Sequence, residues 1–123
     1  MATKLLIADD YHSLRRNICR FLADEGYDVT GASDGAEAAD LLKIEQFDLV
    51  VSDIFMPRMS GLELAELIKS VSPETPILLI TSDPYALSKE TAYEVLTKPF
   101  DLETLSDRVE DLLRRSTESH PRE

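Results

Sequence analysis

A chain of 123 residues with 43% hydrophobic residues is long enough to bury one core without metals or disulfides, and too apolar for wholesale disorder. With 24 acidic and 13 basic residues its net charge is −11, which disfavours a nucleic-acid backbone as partner. One cysteine, Cys19, excludes an internal disulfide and fits a reducing cytoplasm. The apolar stretch before Asp9 and Asp10 is too short for a signal peptide or a membrane span, so no membrane role is expected.

In chain order, short apolar runs alternate with helical periods. Leu5-Leu6-Ile7-Ala8 predicts a first strand. Leu14, Ile18, Phe21 and Leu22 then follow a helical stripe, which Gly26 stops as a left-handed cap. Tyr27 to Thr30 is a weak second strand. Ala38, Leu41 and Leu42 mark a second helix, and Leu49-Val50-Val51 a third strand. Leu64, Leu67, Ile68 and Val71 give a third helix, and Ile77 to Ile80 a fourth strand. Only about ten residues, Asp83 to Ala92, remain before the fifth strand at Tyr93 to Thr97, so the fourth helix holds about two turns. Leu102, Leu105, Val109, Leu112 and Leu113 form the last helix. Asp101 and Glu103 open it and Arg114 and Arg115 close it, as the helix dipole prefers.

Five such units predict an α/β fold, a doubly wound five-stranded parallel sheet in the flavodoxin-like order 2-1-3-4-5 with a shortened fourth helix. The weak second strand and the fifth, whose only apolar pair is Val95-Leu96, belong at its edges. One domain spans residues 1–115, and the polar stretch 116–123 reads as a disordered or frayed tail.

The polar residues that follow the strands carry the chemistry. Asp9 and Asp10 follow the first, Asp53 the third, Thr81 the fourth and Lys98 the fifth. Ligands of open α/β sheets bind outside the carboxyl ends of the strands, at the switch point that the first and third strands flank. Three carboxylates packed there repel one another unless a cation intervenes. Hard oxygen ligands suit Mg²⁺, and a lysine with a hydroxyl nearby suits a transferring phosphoryl group. A carboxylate can itself be the nucleophile, and Asp53 stands alone on the central strand. Asp9 and Asp10 also suit a cap of the first helix, a role compatible with metal binding. His12 reads as a surface residue and Cys19 as a half-buried one.

The segments Ile7-Ala8-Asp9-Asp10, Val51 through Gly61, Ile80-Thr81-Ser82 and Thr97-Lys98-Pro99-Phe100 resemble a response-regulator receiver domain of two-component signalling. The resemblance covers residues 4 to 115. It implies that Asp53 accepts a phosphoryl group from a sensor histidine kinase or a histidine phosphotransfer protein. It also implies that Asp9, Asp10, Asp53 and the Phe55 carbonyl hold Mg²⁺, that Thr81 contacts the phosphoryl oxygens, and that Lys98 pairs with them. Lys98-Pro99 resembles a peptide bond usually cis in the family. On this reading the chain is a stand-alone cytoplasmic phosphoacceptor that signals to another protein or passes phosphate on, and not an enzyme. The competing readings are a Mg²⁺-dependent aspartyl phosphatase and an interaction module that works without phosphorylation. Two features depart from the family. The segment from Thr81 to Lys98 is short, and Val95 stands where an aromatic residue is usual, with Tyr93 two residues away on the same strand face.

Overall fold

The computed structural model describes residues 2–83 and 93–119. They form β1 (Lys4–Ala8), α1 (His12–Asp24), β2 (Asp28–Ala32), α2 (Gly35–Ile44), β3 (Leu49–Asp53), α3 (Gly61–Val71), β4 (Ile77–Thr81), β5 (Glu94–Thr97) and α4 (Leu102–Ser119). The short helix expected after Thr81 falls on residues 84–92 and lies outside the described residues.

The strands pair in parallel in the order β2-β1-β3-β4-β5, as the sequence predicts. Side chains alternate between the two faces of a strand. Leu6, Ala8, Val50 and Leu79 pack on one face against Ala38 of α2 and Leu64 and Ile68 of α3. Leu5, Ile7, Leu49, Val51, Leu78 and Ile80 pack on the other against Ile18 and Leu22 of α1 and Leu105 and Val109 of α4. Both faces are covered, so β1, β3 and β4 each carry an unbroken apolar run of three or four residues. Each fully buried Leu or Ile stabilises the fold by about 1.5–3 kcal/mol relative to exposure.

The helix ends follow local chemistry. α1 closes with the Gly26 N–H donating to the Ala23 carbonyl and the Tyr27 N–H to that of Leu22, Gly26 taking φ 103°. Asp34 caps α2 by accepting from the Glu37 N–H at 2.8 Å. Ser60 and Glu63 cap α3 reciprocally. Asp101 accepts from the Thr104 N–H at 2.7 Å at the start of α4.

Three expectations are corrected. β2 runs on to Ala32, through Gly31 and Ala32, because β1 offers partners as far as Ala8. Intrinsic propensity hides this extension, since glycine and alanine are poor strand residues. Val71, expected in the apolar stripe of α3, is the last helical residue and is exposed. α4 continues through Ser119 rather than ending at Arg115, so 116–119 are helical where a tail is expected. Ser116 donates to the Glu74 carbonyl and Thr117 to that of Leu113. Arg114 and Arg115 therefore do not close the helix; they pair with Asp111, and Arg115 also with Glu94 of β5.

One close approach sets the path of the chain after β3. The Gly61 N–H donates to the Ile54 carbonyl at 2.8 Å, folding the loop of residues 54–60 back on itself. A Cβ at Gly61 would lie 2.3 Å from the Asp53 carbonyl oxygen and 2.9 Å from the Ile54 Cα, both backbone atoms that cannot swing aside. Gly61→Ala is therefore expected to destabilise the protein by about 1–3 kcal/mol, measured by chemical denaturation. Unchanged stability would mean that the loop accommodates a side chain freely.

Candidate functional site

The strand order determines which residues meet. β1 and β3 are neighbours, with Ala8 in register with Ser52, so Asp9 and Asp10 leave the sheet beside Asp53. β4 and β5 end together, Thr81 in register with Thr97, and the Lys98 N–H donates to the Thr81 carbonyl at 2.8 Å. All the expected site residues therefore lie at the carboxyl end of the sheet.

One carboxylate oxygen from each of Asp9, Asp10 and Asp53 lies within 4.8 Å of the others. The Lys98 ammonium donates to Asp53 Oδ2 at 3.1 Å and stands 3.7 Å from Asp9 Oδ2. Asp9 is 1% exposed. Its Oδ1 accepts from the Tyr11 N–H at 2.8 Å, whereas its Oδ2 is buried with no hydrogen-bond partner. The backbone of Asp9 is clamped on both sides. Its N–H donates to the Ala32 carbonyl, and its own carbonyl accepts from Arg15 Nη1 at 2.7 Å.

Burial pushes the Asp9 carboxyl up from its ordinary value, and the charges of Asp53 and Asp10 add to this. The Tyr11 N–H and Lys98 oppose it. Helix capping does not account for the acids. The N-cap of α1 is Tyr11, which makes no side-chain cap bond, and the first turn holds no acid. One ammonium against three carboxylates leaves excess negative charge, and a buried oxygen without a hydrogen bond lies inside it. That donor set fits a hard divalent cation.

The other expected residues divide. Thr81 is fully buried at the end of β4, and its hydroxyl is engaged with the Asp83 backbone, accepting at 3.0 Å and donating at 3.2 Å. Phe55 lies two residues past Asp53 in the chain and is 55% exposed. Lys98-Pro99 is cis. His12 is exposed and shares a hydrogen bond with Arg15, and Cys19 is half-buried with burial raising its thiol pKa. Val95 and Tyr93 pack on the same side of the sheet, as their spacing implies, and the Tyr93 hydroxyl donates to Glu66 of α3 at 3.2 Å.

Sequence reasoning missed the pairing of Arg58 with Asp34. The spacing of Asp34 and Glu37 before Ala38 was a visible helix-start signal. Nothing in the spacing marks Arg58 as the partner.

The profile of the response regulator receiver domain matches residues 5–110. The chain belongs to this family, the receiver domains of two-component signalling. It is similar to the response regulator MprA of Mycolicibacterium vanbaalenii, 39% identical over 122 residues, covering 95% of this chain and 53% of that protein. It is 36% identical over 121 residues to MprA of Mycobacterium tuberculosis, covering 94% of this chain and 53% of the relative. The chain thus spans about half the length of these relatives. Among solved structures it is similar to the chemotaxis response regulator CheY4 of Vibrio cholerae (TM-score 0.82, 34% identity, 91% of this chain and 99% of that one). The response regulator TrrA of Thermotoga maritima, in complex with Mg²⁺-BeF, is similar as well (TM-score 0.82, 32% identity, 89% of this chain and 98% of that one). Receiver domains are in general phosphoacceptors that bind Mg²⁺ at their acidic pocket, and the Asp9, Asp10 and Asp53 cluster fits such a pocket. No helix among the described residues is long and apolar enough to cross a membrane.

The charge balance makes a prediction for metal-free protein. Asp9→Asn keeps an oxygen for the Tyr11 N–H and removes the buried charge. It is expected to raise stability near neutral pH by about 1 kcal/mol, or about 4 °C in melting temperature. A carboxyl whose folded-state pKa is raised binds more protons folded than unfolded, so its ionisation costs stability as pH rises. The advantage of the variant should therefore shrink as pH falls through the raised Asp9 value. Thermal melts in chelator at both pH extremes measure this. A variant melting below the parent would mean that the attraction of Lys98 outweighs repulsion and burial.

Proposed function

We propose that Asp53 is the phosphoryl acceptor of this receiver domain, taking the group from a phosphohistidine of a sensor histidine kinase or a histidine phosphotransfer protein. The observation that carries this is the Lys98 ammonium on Asp53 Oδ2, beside the buried Asp9 Oδ2 that accepts no hydrogen bond. An Asp53 carboxylate oxygen attacks the phosphorus, and the phosphorus–nitrogen bond breaks. The imidazole nitrogen leaves with the electron pair and regains a proton from solvent, and Asp53 becomes an acyl phosphate. Lys98 then follows the negative charge from the carboxylate to the phosphoryl oxygens. Thr81, released from the Asp83 backbone, donates its hydroxyl to one of them. Asp9, Asp10, Asp53 and the Phe55 carbonyl would hold Mg²⁺, which supplies neutralisation of the charge gathered on carboxylates and phosphoryl oxygens.

On this reading the chain is a stoichiometric acceptor and not a turning-over enzyme. Its output is contact with another protein or onward transfer of the phosphoryl group. A cytoplasmic setting accompanies the phosphohistidine donor, and the free thiol of Cys19 is compatible with it.

Incubation with a small acyl-phosphate donor and Mg²⁺ is expected to add one phosphoryl group per chain by intact mass, and chelation to prevent it. Asp53→Asn should remove the label, whereas equal labelling of that variant would refute the assignment. Repeated release of phosphate from small phosphomonoesters would instead favour the phosphatase reading. A second expectation concerns lifetime. Phe55 puts a large apolar side chain two residues past the acceptor, and a polar one there can orient water. Phe55→Asn is expected to lose the added mass several-fold faster than the parent. Equal or slower loss would mean that Phe55 does not screen the acyl phosphate.

A further inference from the structure

Asp53 leads into the loop of residues 54–60, which carries the Phe55 carbonyl and side chain before Ser60 caps α3. Within the loop itself the Met59 N–H donates to the Pro57 carbonyl at 2.8 Å, and Gly61 closes it onto Ile54. Its apex is held from outside. Arg58 Nε and Nη2 both donate to Asp34 Oδ2, at 2.9 and 2.6 Å. The neighbouring residues also touch, since a Cβ at Gly35 would lie 2.1 Å from the Met59 carbonyl oxygen. Arg58 and Met59 of the loop thus rest on Asp34 and Gly35 at the start of α2.

Three features separate this pair from an ordinary surface ion pair. Arg58 takes φ 68°, a left-handed conformation that costs free energy in any residue with a Cβ and persists only where surroundings hold it. The Asp34 carboxylate is buried and both its oxygens are assigned, Oδ1 to the Glu37 N–H and Oδ2 to Arg58. The Glu37 N–H and then Arg58 hold that carboxyl below the usual carboxylate range, so it is charged at neutral pH. Finally, the same β2–α2 junction braces the other half of the site, because the Ala32 carbonyl accepts from the Asp9 N–H at 3.1 Å. One short segment, residues 32–35, therefore supports both the chain bearing Asp9 and the loop bearing the Phe55 carbonyl.

We propose that Arg58 and Asp34 are positioning residues whose ion pair holds the 54–60 loop in the path that presents the Phe55 carbonyl beside Asp53, and so sets how tightly the site takes a divalent cation. This rests on the reading of Asp9, Asp10, Asp53 and Phe55 as the cation's ligands. Neither Arg58 nor Asp34 touches the ion or the phosphoryl group; they act through the loop.

The test uses Arg58→Gly and Asp34→Asn in the full chain. Glycine suits the left-handed position, so Arg58→Gly loses the pair while relaxing the backbone, and its metal-free melting temperature should stay within about 2 °C of the parent. Asparagine keeps the oxygen that caps α2 and removes the charge that Arg58 needs. Mg²⁺ alone is titrated by calorimetry, and amide exchange is followed in chelator. Both variants are expected to weaken Mg²⁺ binding about tenfold. Both should also speed exchange of the amides at residues 55–60, with the central strands unchanged. The double variant should be no weaker than either single one, because the two side chains act as one device. Arg58→Lys should restore part of the affinity, since one donor replaces two. Mg²⁺ affinities within twofold of the parent in both single variants would overturn the proposal, whatever happens to stability. A parent that fails to take up Mg²⁺ would instead overturn the reading of the site on which it rests, and this proposal with it.

Discussion

Three carboxylates gathered around one lysine ammonium are the constraint on which the rest depends. Asp9 is buried, its Oδ2 has no hydrogen-bond partner, and Asp10 and Asp53 stand close enough to repel it. Such an arrangement costs stability unless positive charge is nearby. Lys98 supplies part of that charge, at 3.1 Å from Asp53 and 3.7 Å from Asp9. A fold selected for stability alone has no reason to bury a carboxylate oxygen without a hydrogen bond at the end of its central strands. The site therefore fits a divalent cation that would neutralise the excess charge.

The sheet makes this arrangement possible. β1 and β3 are buried on both faces, and their apolar side chains fix strand direction and register firmly enough to hold like charges side by side. The order β2-β1-β3-β4-β5 places the acids on adjacent strands and brings Thr81 and Lys98 alongside on the next two. Beyond the strand ends, specific ties add to the packing of Ile54, Met56 and Met59 against the core. Arg15 and Ala32 hold Asp9, the close contact at Gly61 holds the turn after Asp53, and Arg58 with Asp34 holds the apex of the following loop. The rigid part thus sets where the strands end, and the ties set where the polar groups point.

Sequence made most of this visible, for physical reasons that differ from one element to the next. Leu5 to Ala8, Leu49 to Val51 and Ile77 to Ile80 are continuous apolar runs because both faces of those strands are covered, and Asp9, Asp53 and Thr81 lie one or two residues beyond them. The acids and Thr81 were legible for that reason, Lys98 was legible from its place after the fifth strand, and the family resemblance added a cis Lys98-Pro99 bond that the structure shows. β2 was seen only in part, because Gly31 and Ala32 join the strand through pairing with Ile7 and Ala8 rather than through their own propensity. The end of α4 was misplaced because Arg114 and Arg115 look like a helix terminus, whereas they pair with Asp111 and, for Arg115, Glu94. The Arg58–Asp34 pair left no trace in the pattern. It joins two loops far apart in the chain, and its left-handed arginine is a tertiary fact that no local preference encodes.

The most direct test of the acid cluster as a phosphoryl-acceptor site is a crystal structure of the protein grown with Mn²⁺ and beryllofluoride, with the manganese located by its anomalous signal. The account predicts manganese among Asp9, Asp10, Asp53 and the Phe55 carbonyl, and beryllofluoride on an Asp53 oxygen with Lys98 and Thr81 turned toward its fluorines. Manganese bound elsewhere, or an Asp53 carboxylate left bare while beryllofluoride is in excess, would contradict it.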